Sequence, residues 1–450
     1  MATQQQPENS TITTFTLTNV KSGQEVDVKE GTPVFSYYEN ILSNHITASC
    51  VLVETGFSIE GKDGKLRNIV DGLPLRGGEA VEFEAEDKAG NVISFKGEKK
   101  LYVNRVSNVI GSTKRLTYAL NFCTKEFLAN EQTRVVKRYK RPKKISEHVT
   151  EILKNVLKTQ NFRTEDIEET QQSYEFIGND RKPFHILTWL ANKSIPADAS
   201  PGASSGFFFF ETQDGFQFKS IDGLLSDLKP SSGDKKEVKR FKYRGSNFED
   251  ADEKGNILSY NVDNTIDLQS NLQLGTYTNR TLFFDLWNLQ FEIQEYKIDE
   301  KQFDKVKTGG KENVDYVPEE FRAGPTRLLW RVKDNGALPT GATASQQLES
   351  WKAEPEKSND EMDKNTVQSV MRYNQMFTYQ LSITVPGDFA LRAGETVYCE
   401  FPDVSETGDV INDDISGHFV IASLCHQISS DNTITSMTLI RDSYGKKALK

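Results

Sequence analysis

Three residues near the carboxyl end, His418, Cys425 and His426, are of the types that ligate zinc. They fall in GHFVIASLCHQI, a run dense in apolar residues that reads as a strand. Neighbouring side chains on a strand point to opposite faces, so Cys425 and His426 diverge, and His418 lies about 26 Å from His426 at roughly 3.3 Å per residue. Unless the strand breaks between them, they cannot share one ion. The other cysteines, Cys50, Cys123 and Cys399, are also single, lack CxxC spacing and sit in or beside apolar stretches, which reads as buried free thiols. His148 and His185 have no second ligand at helical spacing and read as surface or packing residues.

Other chemistry is as thinly supported. The glycine-rich pieces Gly61 to Lys65 and Gly72 to Gly78 lack the spacing of a phosphate-binding loop that opens a helix, and read as hairpin turns. HExxH and catalytic-cysteine signatures are absent, the GxSxG match at Gly202 to Gly206 falls in a loop of small residues, and no motif singles out a carboxylate pair among the 65 acidic residues. Asn279-Arg280-Thr281 matches a glycosylation sequon in a chain whose amino terminus, MATQQQPENS, carries no export signal. No catalytic, cofactor-binding or metal-ligating set is therefore expected, and no cofactor. The densest charge is RVVKRYKRPKK, Arg134 to Lys144, with seven basic residues in eleven around Tyr139. A nucleic-acid patch, a patch for an acidic protein and a solvated strand or linker face all fit it. The last is favoured, because the run is single and short in a chain of net charge −10.

The elements that must position these residues are mostly strands. At 450 residues the chain is too long for one ordinary core, and 27 Phe with 15 Tyr favour sheet. No apolar run approaches the ~18 residues that cross a bilayer as a helix. Near the end, Phe377, Tyr379, Leu381, Ile383 and Val385 alternate; Val397, Cys399 and Phe401 alternate again; Gly417 to Ile428 and Thr433 to Ser443 supply two more strands. Thr11 to Phe127 has the strand-and-turn rhythm of an all-β unit. Beyond Pro142 the period becomes helical, with Ile145, Val149, Ile152, Leu153 and Val156 on one stripe, and KPFHILTWLANKS begins a second helix at Pro183. FFFFETQDGFQF is a hairpin turning at Asp214-Gly215, and four consecutive Phe demand cover on both faces. Lys229 to Gly255 reads as a linker or edge, Asn256 to Ile298 as β again, and 299–360 as extended or disordered apart from TRLLWRV. A short helix spans Asn365 to Met376.

The order of these pieces resembles the baseplate hub subunit of contractile-tailed bacteriophages. YYENILSNHITASCVLVETG, LPLRGGEAVEF, LTYALNFCTKEFLANEQTRVVKRY, the two helices, the FFFF hairpin, VPGDFALRAGETVYCEFP and GHFVIASLCHQISSDNTITSMTLIRDS carry the likeness. It implies a mainly β fold with a small α/β insert: two tail-tube-like antiparallel β-barrel domains plus smaller accessory domains. On this sequence the first tube-like domain is 1–127, completed by 205–225; 128–204 is the helix-containing insert. The second combines 226–298 with 377–450, and 299–376 is a charged accessory segment with a short helix. No internal sequence repeat links the two. The resemblance further implies a non-enzymatic homotrimer in the virion, assembled in the host cytoplasm, that joins a hexameric tail tube to a trimeric central spike. Tape measure and baseplate wedge proteins are further candidate partners; viral DNA only passes through the lumen, and no membrane insertion is implied. The acidic excess is expected partly to face that lumen. A tail-associated cell-wall hydrolase, a tail tube or spike component, and a nucleic-acid-binding module stay open as alternatives.

Overall fold

The computed structural model describes residues 10–56, 59–60, 64–197, 205–225, 238–243, 255–264, 267–297, 308, 311–312, 317–336, 342–354, 359–403 and 410–444. Parts of Gly61 to Lys65, of the loop before Phe207, of the Lys229 to Gly255 linker and of 299–360 lie outside them. The fold is mainly β, as expected, and is dominated by one fourteen-stranded sheet. Its path runs Ser259–Asn264, Tyr379–Pro386, Thr433–Arg441, Gly417–Ser429, Val34–Asn40, Thr47–Glu54, Leu116–Thr124, Leu101–Gly111, Ala80–Glu86, Thr11–Thr18 and Glu25–Asp27. The two β regions separated by the insert are thus joined edge to edge within one sheet.

The join is made by Gly417–Ser429, which is long enough to change partners. Its first residues pair with Thr396–Glu400, and its last seven pair antiparallel with Val34–Asn40, after a register shift between Ile421 and Ser423. Beneath the sheet, each region has its own apolar core. One gathers Phe15, Phe35, Phe83 and Phe122, with Phe35 stacked on Phe83 at 3.7 Å between centroids. The other gathers Leu381, Ile383, Val385, Leu424, Met437 and Leu439 over Val397, Cys399 and Phe401. These are the residues whose period of two marks one strand face, and their burial is the main force holding the layers together.

The insert carries the expected helices. Ile145–Glu151 continues as a π-helical turn through Ile152–Val156, and Pro183–Ala191 begins on its proline. The FFFF strand, Phe207–Thr212, pairs with Gly215–Ser220 as a two-stranded sheet of its own. All four rings are buried, as required: Phe207 and Phe209 enter the core of the insert, while Phe208 and Phe210 enter a separate cluster with Met376, Val420 and Ile440. The sequence reading failed locally in four places. Lys125–Gln132 is a helix that begins in a stretch read as strand, and Leu268–Leu274 is a helix inside one, capped by Asp267 and closed by Gly275 at φ 68°. Ala344–Ala353 is a helix in the segment read as extended, and the closing helix starts earlier, at Asp360.

Candidate functional site

Eight consecutive strands of the sheet, from Ser259–Asn264 to Leu101–Gly111, are paired antiparallel throughout. One face of them packs on the two cores. The other is lined by small hydroxyl and amide side chains that fall into register across strands. Asn261, Ser382, Thr438, Ser423 and Asn40 form one cross-strand row. Ser259, Thr384, Ser436, Cys425, Tyr38 and Thr47 form the next, and Gln427, Ser36, Ser49 and Asn121 a third. A shallow concavity of about 810 Å³ opens on the first two rows. The side chains bond to one another, as Thr384 does with Ser436 at 3.3 Å and Asn121 with Ser107 at 3.4 Å. Across these rows and the strand residues that continue them, charge is confined to the margins, to Asp263, which accepts from Ser382 and Asn261, and to Arg105.

Buried carboxylates clamp the elements beneath this face. Glu39, 1% exposed, accepts from the Tyr37 hydroxyl at 2.5 Å, from Gln213 N at 2.8 Å and from Ala393 N at 2.8 Å, so one side chain ties both β regions to the hairpin turn. Burial pushes its carboxyl above the ordinary value against the opposing pull of the Arg392 charge. Glu211, fully buried, accepts from Ile46 N, Thr124 Oγ1 and Asn161 Nδ2 at 3.1–3.3 Å, and burial, reinforced by the charge of Glu126, raises it further. Each carboxylate is engaged by backbone and side-chain donors, an arrangement that holds elements in place rather than moving protons to a substrate.

The residues singled out for chemistry are spread apart. His426 points into the core between the rings of Tyr37 and Phe389, its Nδ1 2.9 Å from Thr435 Oγ1, and burial with the Arg392 charge pushes its imidazole down to about 3. Cys425 lies on the opposite face, across from Tyr38, and His418 packs edge-on against Tyr398. His148 is buried, with Nε2 2.8 Å from the Tyr174 carbonyl. The cysteines are free thiols; Cys50, Cys123 and Cys399 are buried and Cys425 half-buried. Among the described residues no group of His, Cys, Asp and Glu could hold a metal ion.

The basic run is paired with local carboxylates. Lys137 and Lys143 both reach Glu151, Arg138 meets Glu175 and Lys144 meets Glu169. Arg141 donates to Ser173 and, at 2.7 Å, to Asn359. Its charges hold the insert together, which leaves few to grip phosphate. None of these partners is adjacent in sequence, so composition alone could not reveal them. The hydroxyl face was equally hidden, although the polar half of each alternating strand was its signal.

The sequence matches no family profile and no curated protein. In three dimensions the chain is similar to the tail protein from Neisseria meningitidis MC58, with a TM-score of 0.51 at 11% identity, over 97% of this chain and 97% of that one. The fold is that of a tail protein. The 43 kDa tail protein of prophage MuSo2 from Shewanella oneidensis is similar at 10% identity and TM-score 0.49, covering 95% of this chain and 98% of that one. The E. coli c3393 protein, described as a type VI secretion component with structural similarity to T4 tail proteins gp27 and gp5, gives 10% identity and TM-score 0.39, over 97% and 78% of the two chains. The resemblance read from the order of the sequence pieces is thus borne out at the level of fold. In this tail-protein fold the eight-stranded face draws on both ends of the chain.

Proposed function

We propose that the chain is a structural hub of a contractile phage tail, three copies of which form a ring that joins a sixfold tube to a threefold spike. The observation that carries this reading is the eight-stranded face. It divides into two runs of four antiparallel strands, one from each β region, so each chain offers two similar arcs and three chains offer six. Because directions alternate over an even number of strands, the two outer edges run in opposite senses. Among the described residues, Ser259–Asn264 pairs only with Tyr379–Pro386, and 104–111 only with Leu116–Thr124. The first edge of one copy therefore meets the second edge of the next as an antiparallel neighbour, and the hydroxyl rows continue across the join. Val109 and Ile110, 56% and 69% exposed on that edge, would be covered by it.

Twenty-four strands spaced about 4.8 Å apart and tilted about 40° close a cylinder about 50 Å across between backbones. On this reading the hydroxyl face lines the lumen and DNA slides past uncharged groups. The expected acidic lining is then withdrawn, since charge on this face is marginal. The role is non-enzymatic: the buried carboxylates fasten elements, and four of the seven basic residues of the run are paired with carboxylates of the insert.

Light scattering of the purified chain is expected to give a particle of three 50.9 kDa chains. The edge variant Val109→Lys/Ile110→Lys should remain single chains with an unchanged melting curve, because lysines block strand addition at an edge. A wild-type chain that stays single at micromolar concentration, or a double-lysine variant that still trimerises, overturns the ring.

A further inference from the structure

A second sheet carries a surface that the ring does not use. Thr278–Asp285 is flanked by Gln290–Lys297, antiparallel, and Arg327–Val332, parallel. Its inner face is buried: Thr281 is 0% and Phe283 4% exposed, Asp285 accepts from Asn335 at 2.7 Å, and Trp287 beside it stacks on Trp351. Its outer face shows two apolar rows, Phe291, Phe284 and Val332, then Ile293, Leu282 and Trp330. Trp330 is 71%, Phe291 65% and Ile293 55% exposed. The rows end at the Arg280–Glu295 ion pair, which marks a polar rim.

The exposed apolar surface here is on the order of 800 Å², the share of one partner in a standard interface and more than a monomer leaves bare without use. Elsewhere among the described residues the large exposed apolar side chains stand singly or in pairs such as Val109–Ile110, and the exposed aromatics are Tyr38 on the hydroxyl face and Phe321. A neighbouring copy thus has no matching apolar face to offer except the same one. Patch-on-patch contact is twofold, which cannot join neighbours within one threefold ring, and an adaptor seated between tube and spike has no second ring to meet; the inference rests on the ring reading in that step alone. Three strands at about 4.8 Å, each six to eight residues long, give a face about 10–15 Å wide and 20 Å long. That is the footprint of one helix, 10–12 Å across and about 13 residues in length.

We propose that this face docks an amphipathic helix of a different tail polypeptide, with apolar residues at i, i+3, i+4 and i+7 and a polar side that meets the Arg280–Glu295 rim. The test places the photo-crosslinker p-benzoylphenylalanine at position 330 of the full chain in assembled tails. Irradiation is expected to join it to another protein, through a peptide with that helical spacing. An adduct between two copies, an adduct within the chain, a partner peptide without helical periodicity, or no adduct overturns the proposal. The variant Phe291→Ser/Trp330→Ser should keep the wild-type mass and melting temperature yet yield tails that lack the cross-linked protein; tails that retain it also overturn the proposal. Light scattering judges the ring separately. A chain that is not trimeric but still cross-links to a helix of another protein would sink the ring and leave the docking face standing.

Discussion

Cys425 stands directly opposite Tyr38 in an antiparallel ladder, and that pairing joins strands from the two ends of the chain. Both side chains are on the hydroxyl face, Cys425 half-buried and Tyr38 40% exposed. Directly opposed residues have Cα atoms about 4.5–5.5 Å apart, within the range a disulfide spans. Tyr38→Cys should therefore form an intrachain disulfide with Cys425 under mild oxidation, detected by mass spectrometry of a digest. Cross-linked dimers in place of the intrachain bond would show that the two β regions meet between copies instead.

Arg372, on the Asp360–Met376 helix, is almost fully buried and donates to Asp442 at 2.7 Å, with Asp222 at 3.8 Å. Burial pushes the Asp442 carboxyl up, but the Arg372 charge and the donors of Thr308 outweigh it and hold it below the ordinary value. A depressed carboxyl adds stability above its unfolded value of about 3.8, and that stability is lost as pH falls through the lower folded value. Arg372→Ala, which strands a buried carboxylate, should cost about 3–5 kcal/mol in urea denaturation at pH 7. Arg372→Met with Asp442→Leu should cost less than the single change. A loss in the double variant equal to the sum of those of Arg372→Met and Asp442→Leu alone would mean that the two charges are not coupled.

The closing strands were legible because their signal is local. Tyr379, Leu381, Ile383 and Val385 alternate with Gln380, Ser382 and Thr384, and a period of two has one structural meaning. The Pro183 helix and the Asp214-Gly215 turn were legible for the same reason. The face was not, because which strand lies beside which is decided by contacts such as Cys425 with Tyr38, far apart in sequence. The partners of the basic run were hidden in the same way, since Glu151, Glu169 and Glu175 pair with four of its seven basic residues from outside the run. Ala344–Ala353 did leave a readable mark, as Thr343 and Gln346 form a capping box at its start. Its weak apolar stripe, with Trp351 as its buried residue, concealed it.

Glu211 gives a pH dependence of the opposite sign to Asp442. Its carboxyl is raised by burial and then by the Glu126 charge, so the folded chain holds a proton that the unfolded chain has released. The stability this confers is full below the unfolded value near 4.5 and is lost as pH rises through the folded value. In Glu211→Gln the new amide can donate to Asn161 Oδ1, which has no partner at present, once the Asn161 amide turns over. The variant should melt a few degrees higher than wild type at pH 8 and show no gain at pH 4. A variant less stable at both values would mean that the ionised carboxylate, bonded to Ile46 and Thr124, is the favoured form.

The hydroxyl face predicts how the ring treats DNA. With Arg105 as its marginal cation and none further in, it offers phosphates little counterion release, so the wild-type chain should show no retention of a short duplex at 150 mM salt in sedimentation assays. Ser382 and Ser436 are half-buried on the face, in its second and third strands, which lie side by side. Ser382→Lys/Ser436→Lys puts two cations per chain there, six in a ring, at positions where a lysine stem can reach outward without entering either core. The variant should keep its trimeric mass and bind the duplex, with log affinity falling against log salt at a slope near −0.9 for each phosphate engaged. Were the wild type to bind with a comparable slope, the cations would have to lie elsewhere on the chain, and the uncharged face would not be the surface that DNA meets.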